Sequence, residues 1–387
     1  MLAKYDGSIK FDTKIDTKEF ESGVEKLKGT AIKGFAAVGA AAAGGIAAAT
    51  KAGMDFEEAM SSVSAISMAT GEQYDMLKAK AQEMGEATKF TATQAANALE
   101  YLSLAGFTAE ESCAALPQVL NLAAAGGMDL AYASDLLTDS MAVMGLGIDS
   151  MANFSDQLAM AASKSNTSVQ QLGEAVLIAG GQAKLANMSV EEMNTALGIL
   201  ADKGIKGSEG GTALRNTLKN LYTPTKTAAD ELKALGINTA DAQGNLIPMQ
   251  TVLKNLDAAL NNLTEADKMT AMGNIFDTRT IAAASALLDD CGSRWDELSG
   301  YLSDCDGAAE QMAETMNDNL TGQLTLAASA AEGLGIAVYD SISGTLKESV
   351  KSGAAEISAL TRSIKGGELK PATENVGKLF AGLANTV

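Results

Sequence analysis

F-T-A-T-Q-A-A-N-A-L-E-Y-L-S-L-A-G-F-T-A-E-E-S, Phe90 to Ser112, holds one whole helix and the start of the next. Thr91 followed three residues on by Gln94 has the form of a capping box, in which hydroxyl and amide satisfy the first free N–H groups of a helix. Gly106 ends that helix, and Thr108 with Glu111 opens another in the same way. Ser168 with Gln171 and Ser189 with Glu192 repeat the form, and Asp129 and Asp149 stand as N-caps in the gap between Thr108 and Ser168, so helix starts recur at roughly twenty-residue intervals. Turn signals precede them: Gly106-Phe107, Gly126-Gly127-Met128, Gly145-Leu146-Gly147-Ile148 and Asn187-Met188. The apolar residue before each cap (Phe107, Met128, Ile148, Met188) suits a hydrophobic staple. The expected fold is mainly α, a stack of short antiparallel helices of about three to four turns, which bury their apolar stripes only against neighbours.

Composition agrees. Of 387 residues 47% are hydrophobic but only 4% aromatic, and four prolines stand against 38 glycines, as in helices punctuated by turns. The net charge of −19 opposes any grip on nucleic-acid phosphates, which requires displacement of counterions by Lys and Arg. It reads as a solvated surface or as complementarity to a basic partner. Cys113, Cys291 and Cys305 are odd in number and widely spaced, so they form no disulfide framework. With no histidine and no C-x-x-C, no structural zinc site is expected, and no cofactor is implied. Met1 to Lys28 is mixed in charge and does not have the form of a signal peptide.

Around the helical core the chain divides into further segments. Residues 1–28 read as a small β-α start: Ile9 to Ile15 alternates like a strand, and Asp16 caps a helix carrying Phe20, Val24 and Leu27. Residues 29–53 contain the charge-free Ala/Gly run Gly34 to Thr50, with Gly34, Gly39, Gly44 and Gly45 along it. That run is either a transmembrane helix with small-residue faces or a tightly packed helix or connector. Its length is marginal for a bilayer core of about 30 Å, and Ala and Gly supply little transfer energy. Residues 54–290 are the core helical domain, interrupted near Leu235 to Pro248 by turns that suggest a short hairpin. Residues 291–307 read as a polar connector holding the sole tryptophan, Trp295, and 308–387 as longer amphipathic helices.

No motif carries chemistry. Absence of histidine removes Ser-His and Cys-His nucleophile pairs. The pairs Glu57-Glu58, Glu110-Glu111 and Glu191-Glu192 stand at helix first turns, where the macrodipole favours negative charge. The run Gly204-x-x-Gly207-x-x-Gly210-Gly211-Thr212 lacks the Gly-Lys-Ser/Thr ending of a phosphate loop, and no strand precedes it. Its glycines suit positive φ and close backbone approach between two helices, with Arg215 one turn into the second as a candidate partner for an acidic group or a free carbonyl. Met141, Met144, Met188 and Met193 read either as core filling or as an adaptable groove.

Taken in order, several stretches resemble the recurring core of phage tail tape-measure proteins over roughly Phe56 to Leu288. They are Phe56-Glu57, the Phe90 to Ser112 run with Gly106 and Phe107, and Leu116-Pro117 through Gly127. Ala161 to Ser168, Gly204 to Pro224 (with Gly207, Gly210, Gly211 and Arg215) and Ile275-Phe276 complete the series. Asp6-Gly-Ser-Ile with Asp16-Thr-Lys is similar to the start of such proteins in Gram-positive prophages. The resemblance implies a non-enzymatic helical virion protein, assembled in several copies in the tail interior, whose length helps set tail length. It implies tail-tube protein and tail-assembly chaperones as partners, host cytoplasm as the place of assembly, release at DNA ejection and, for some members, contact with the host membrane.

One departure accompanies the resemblance. The family's ruler is a long helical region beyond the core, whereas 387 residues, even wholly helical, would span about 580 Å at about 1.5 Å each. The sequence therefore reads as an N-terminal portion, a truncated prophage product or a member with a short tail. A second reading is a membrane-active helical protein acting through Gly34 to Thr50. A third, a cell-wall hydrolase, has no motif here.

Overall fold

The computed structural model describes residues 47–365. Helix α1 covers 47–67. It is followed by α2 (Glu72–Ala87), α3 (Ala92–Leu104), α4 (Ala109–Gly126), α5 (Leu130–Met144), α6 (Met151–Lys164), α7 (Val169–Leu185) and α8 (Val190–Asp202). Next come α9 (Gly207–Tyr222), α10 (Lys226–Ala234), α11 (Met249–Leu260), α12 (Glu265–Ile275), α13 (Ile281–Asp289), α14 (Ser293–Ser303), α15 (Ala308–Asn317) and α16 (Leu320–Lys365). The fold is mainly α. Among the described residues the one pairing of extended chain is an antiparallel bridge, Ala240 to Leu246, in the turn-rich stretch before α11. Ala52–Ala337 forms one compact unit; the described residues outside it, 47–51 and 338–365, are helical.

The corners between helices follow one local code. At the end of α3 the Phe107 N–H donates to Leu102 O (3.2 Å) across Gly106, whose φ of +89° only glycine adopts freely. The same six-to-one bond closes α4, α5, α7, α8 and α10, with donors Met128, Leu146, Met188, Ile205 and Ile237. Every donor is apolar, as the hydrophobic contact of this helix stop requires. At Phe107, Met128 and Met188 the next residue caps the following helix, so one buried or half-buried side chain seals two helix ends. Thr91 and Thr108 form complete capping boxes; Asp129, Ser168 and Ser189 each accept a single backbone bond. Asp149 departs from expectation. It lies within a one-turn 3-10 helix, Ile148–Ser150, where Ser150 N–H bonds to Gly147 O (3.0 Å), and α6 starts two residues later without a side-chain cap.

Small residues set the spacing of the helices. α7 packs against α4, α5, α6, α8 and α9. A Cβ on its Gly173 would lie 2.4 Å from a Leu136 methyl of α5, and one on Gly211 of α9 would lie 2.5 Å from Ala175 O of α7. The α7 and α9 backbones therefore approach more closely than a side chain at Gly211 allows, and the Leu136 side chain of α5 packs directly onto the bare backbone at Gly173. Met141, Met144, Met188 and Met193 are all buried in the core.

Two segments depart from the sequence reading. Residues 291–307 are built around α14, whose Trp295, Leu298 and Leu302 are buried among helices that include α6 and α8. The acidic residues around this stripe lie on its outer side and made it read as a connector. α15 likewise belongs to the body, seated on α4 and α6 with Ala309 and Ala313 buried. The strand at Ile9 to Ile15, the helix after Asp16, and Gly34, Gly39, Gly44 and Gly45 lie outside the described residues.

Candidate assembly surface

Phe90 and Pro117 meet in space. Phe90 is buried in the loop between α2 and α3, where its N–H donates to Thr88 Oγ1 (3.2 Å) and Lys89 Nζ lies 5.1 Å from its ring centre. Burial holds the Lys89 ammonium below its ordinary pKa. Pro117 lies inside α4, where it can give no N–H to the helix ladder. Both line a cleft of about 580 Å³ whose other walls include Leu120 and Asn121 of α4, Glu314 of α15 and Leu326 of α16. Gly106 and Phe107 stand away from this cleft, at the α3–α4 corner.

The second group of signature residues marks joints. Gly207 (φ +61°) starts α9, a Cβ on Gly210 would lie 2.9 Å from Ile205 O, and Gly211 touches α7 as above. Arg215 is exposed, and among the described residues no ion pair or hydrogen bond engages it. Pro224 lies in the link from α9 to α10, and Phe276 is fully buried at the end of α12. The glycines and Phe276 shape packing, and the group as a whole does not converge on one point.

Charged side chains tie distant helices together. Asp156 of α6 is buried and accepts from Gly307 N–H and Ala309 N–H (both 2.9 Å), so it caps α15. Glu192 of α8 accepts from Gln250 N–H (3.2 Å) at the start of α11, which has no cap of its own, and burial raises its pKa. Glu332 of α16 accepts from Thr93 N–H (3.1 Å) and Thr93 Oγ1 (2.7 Å) in the first turn of α3. Glu191 accepts from Ser299 Oγ on α14. Arg294 of α14 binds Asp202 at the end of α8 (2.8 Å) and Lys164 O at the end of α6 (2.6 Å). These partners are 58 to 239 residues apart in sequence, so no local pattern announces them.

The chemistry available is limited. Cys291 and Cys305 are buried and Cys113 half-buried, all as free thiols. Burial raises all three thiol pKa values, that of Cys305 to about 11 with help from the nearby Asp156 carboxylate. Among the described residues no three metal-ligating side chains cluster, and no helix is long and apolar enough to cross a membrane.

A helical body with corners of this kind is matched by the family model for phage-related minor tail proteins over residues 78–277, just over half of the 387-residue chain. The chain belongs to that family. The match begins inside α2 and ends just after α12, so the Phe90 to Ser112 run, the glycines of α9 and Phe276 all fall inside the family region. Two curated relatives extend the comparison. The tape measure protein of Pneumococcus phage Dp-1 is 36% identical over 274 residues, 71% of this chain and 24% of that protein. The probable tape measure protein of Escherichia phage P2 is 31% identical over 273 residues, 69% of this chain and 34% of that protein. The chain thus spans about a quarter to a third of the length of these family members. No solved structure matches it.

Proposed function

We propose that this chain is a tail tape-measure protein or its N-terminal portion, a structural component that assembles inside the tail tube. In this reading it associates with itself, with tail-tube subunits and with tail-assembly chaperones, helps set tail length, and leaves the tube when DNA is ejected. The observation that carries it is the identity to two proteins named as tape measures, across about seven-tenths of the chain. A body built from capped helices and interhelical ties, with free cysteines whose thiol pKa values are raised by burial, is consistent with a structural role. The host cytoplasm is the place of assembly.

The test is recovery of the chain from purified tails by mass spectrometry, together with co-purification of tail-tube and chaperone subunits from assembling cells. Presence in tails at a fixed ratio to tube subunits is the expected result. Absence from tails, with the chain abundant elsewhere in the same cells, would refute the proposal.

A further inference from the structure

Helix α16 begins where Asn319 Oδ1 accepts from Gly322 N–H (2.9 Å), and its first five turns carry two different faces. One face is seated on the body. Gly322, Ser329 and Ile336 are buried, Ser329 Oγ donates to Lys89 O (3.1 Å), and Glu332 holds the start of α3. The opposite face is apolar and open. Leu320 (77% exposed), Leu324 (63%) and Leu334 (69%) alternate there with exposed Ala327 and Ala331. The spacing of these five is four, three, four, three, the repeat that keeps one seam of a helix facing a supercoiled partner.

We infer that this seam, centred on Ala327, is the contact between copies of the chain. The inference rests on the tail reading above and names the surface through which self-assembly occurs. Charge argues for a second copy as occupant. A chain of net charge −19 repels itself over most of its surface, yet between Leu320 and Ala337 the sole charged residue is Glu332, and its carboxylate is turned to Thr93. The positions flanking the seam, Gln323, Ala328 and Ala330, are uncharged. Small residues at its middle permit close approach, and Leu at both ends supplies the apolar area. From Leu320 to Leu334 the seam runs about 21 Å at about 1.5 Å per residue.

Light scattering on the full chain tests this, with Leu324→Glu and Leu334→Glu as variants. The wild type is expected at a multiple of 39.6 kDa and the double variant at 39.6 kDa, with unchanged helical content. A wild type that stays at 39.6 kDa at high concentration, or a folded double variant that keeps the wild-type mass, overturns the inference. Should the double variant not fold, Ala327→Cys decides. Mild oxidation is expected to link it to its counterpart in a second copy, while Thr325→Cys, one residue past Leu324 and off the seam, stays unlinked. No link at residue 327, or equal linking at both, overturns the inference. A chain found in purified tails despite either adverse result would leave the tail reading standing and remove only this contact.

Discussion

Replacing Gly211 with alanine places a methyl group 2.5 Å from Ala175 O, 2.8 Å from Ala175 Cα and 2.9 Å from Ile178 Cβ. Ordinary carbon contacts lie near 3.5–4.0 Å, so α7 and α9 must separate. Two of the three obstructing atoms are helix backbone, which cannot rotate aside. Overpacking costs about 1–3 kcal/mol, and backbone contacts place this case at the upper end. Alanine returns about 1 kcal/mol through its better helix propensity. The net expectation for Gly211→Ala is a loss of about 2 kcal/mol. Gly181→Ala is the control. Gly181 is exposed within α7 and an added Cβ meets nothing within 4 Å, so only the propensity gain of about 0.5–1 kcal/mol remains. Urea unfolding followed by far-UV circular dichroism should therefore move the two midpoints in opposite directions. A Gly211→Ala midpoint at or above wild type would refute the claim that close backbone approach fixes this helix pair.

Further expectations follow from the interhelical ties. Asp156→Ala leaves one buried N–H group (Ala309) and one part-buried one (Gly307) at the start of α15 without an acceptor and should cost about 2 kcal/mol in the same unfolding assay. Arg294→Ala should cost about 1–2 kcal/mol, and Arg294→Lys should recover less than half, because one ammonium cannot span Asp202 and Lys164 O as the guanidinium does. Burial raises the folded-state pKa of Glu192 above its ordinary 4.5, so the stability linked to its proton is present below that pH and is lost as pH rises through the folded value. Glu192→Gln should thus match wild type near pH 4 and exceed it at pH 7, read as urea midpoints. Cys291 and Cys305, buried and with raised pKa values, should resist iodoacetamide at neutral pH until the chain is unfolded, while half-buried Cys113 reacts sooner. Mass spectrometry of timed samples gives the order.

The helical class and most corners were legible because their signals are local. Thr91 with Gln94, Thr108 with Glu111 and the Gly-apolar-Thr or Asp junctions all act within six residues, so spacing alone identifies them. Asp149 misled because a backbone 3-10 turn can satisfy the same donors as a cap. α14 was hidden because its stripe of Trp295, Leu298 and Leu302 is narrow and set among acidic residues. The glycines of α9 could be read as points of close approach, yet their partner helix could not, since that depends on which elements meet after folding. The same holds for Asp156, Glu192 and Glu332, which look like ordinary surface acids in sequence and serve as caps for helices far along the chain. Phe90 and Pro117 were visible only as family marks; their shared cleft is a property of the tertiary structure.

Tail length is the quantity that tests the central claim most directly. Duplicating residues 338–365 in frame, in the genome that encodes the chain, adds 28 residues that are helical here. If the chain acts as part of a ruler, electron microscopy of purified tails should find them longer by about 42 Å, at about 1.5 Å per added residue. Tails of unchanged length that contain the longer chain would contradict the account.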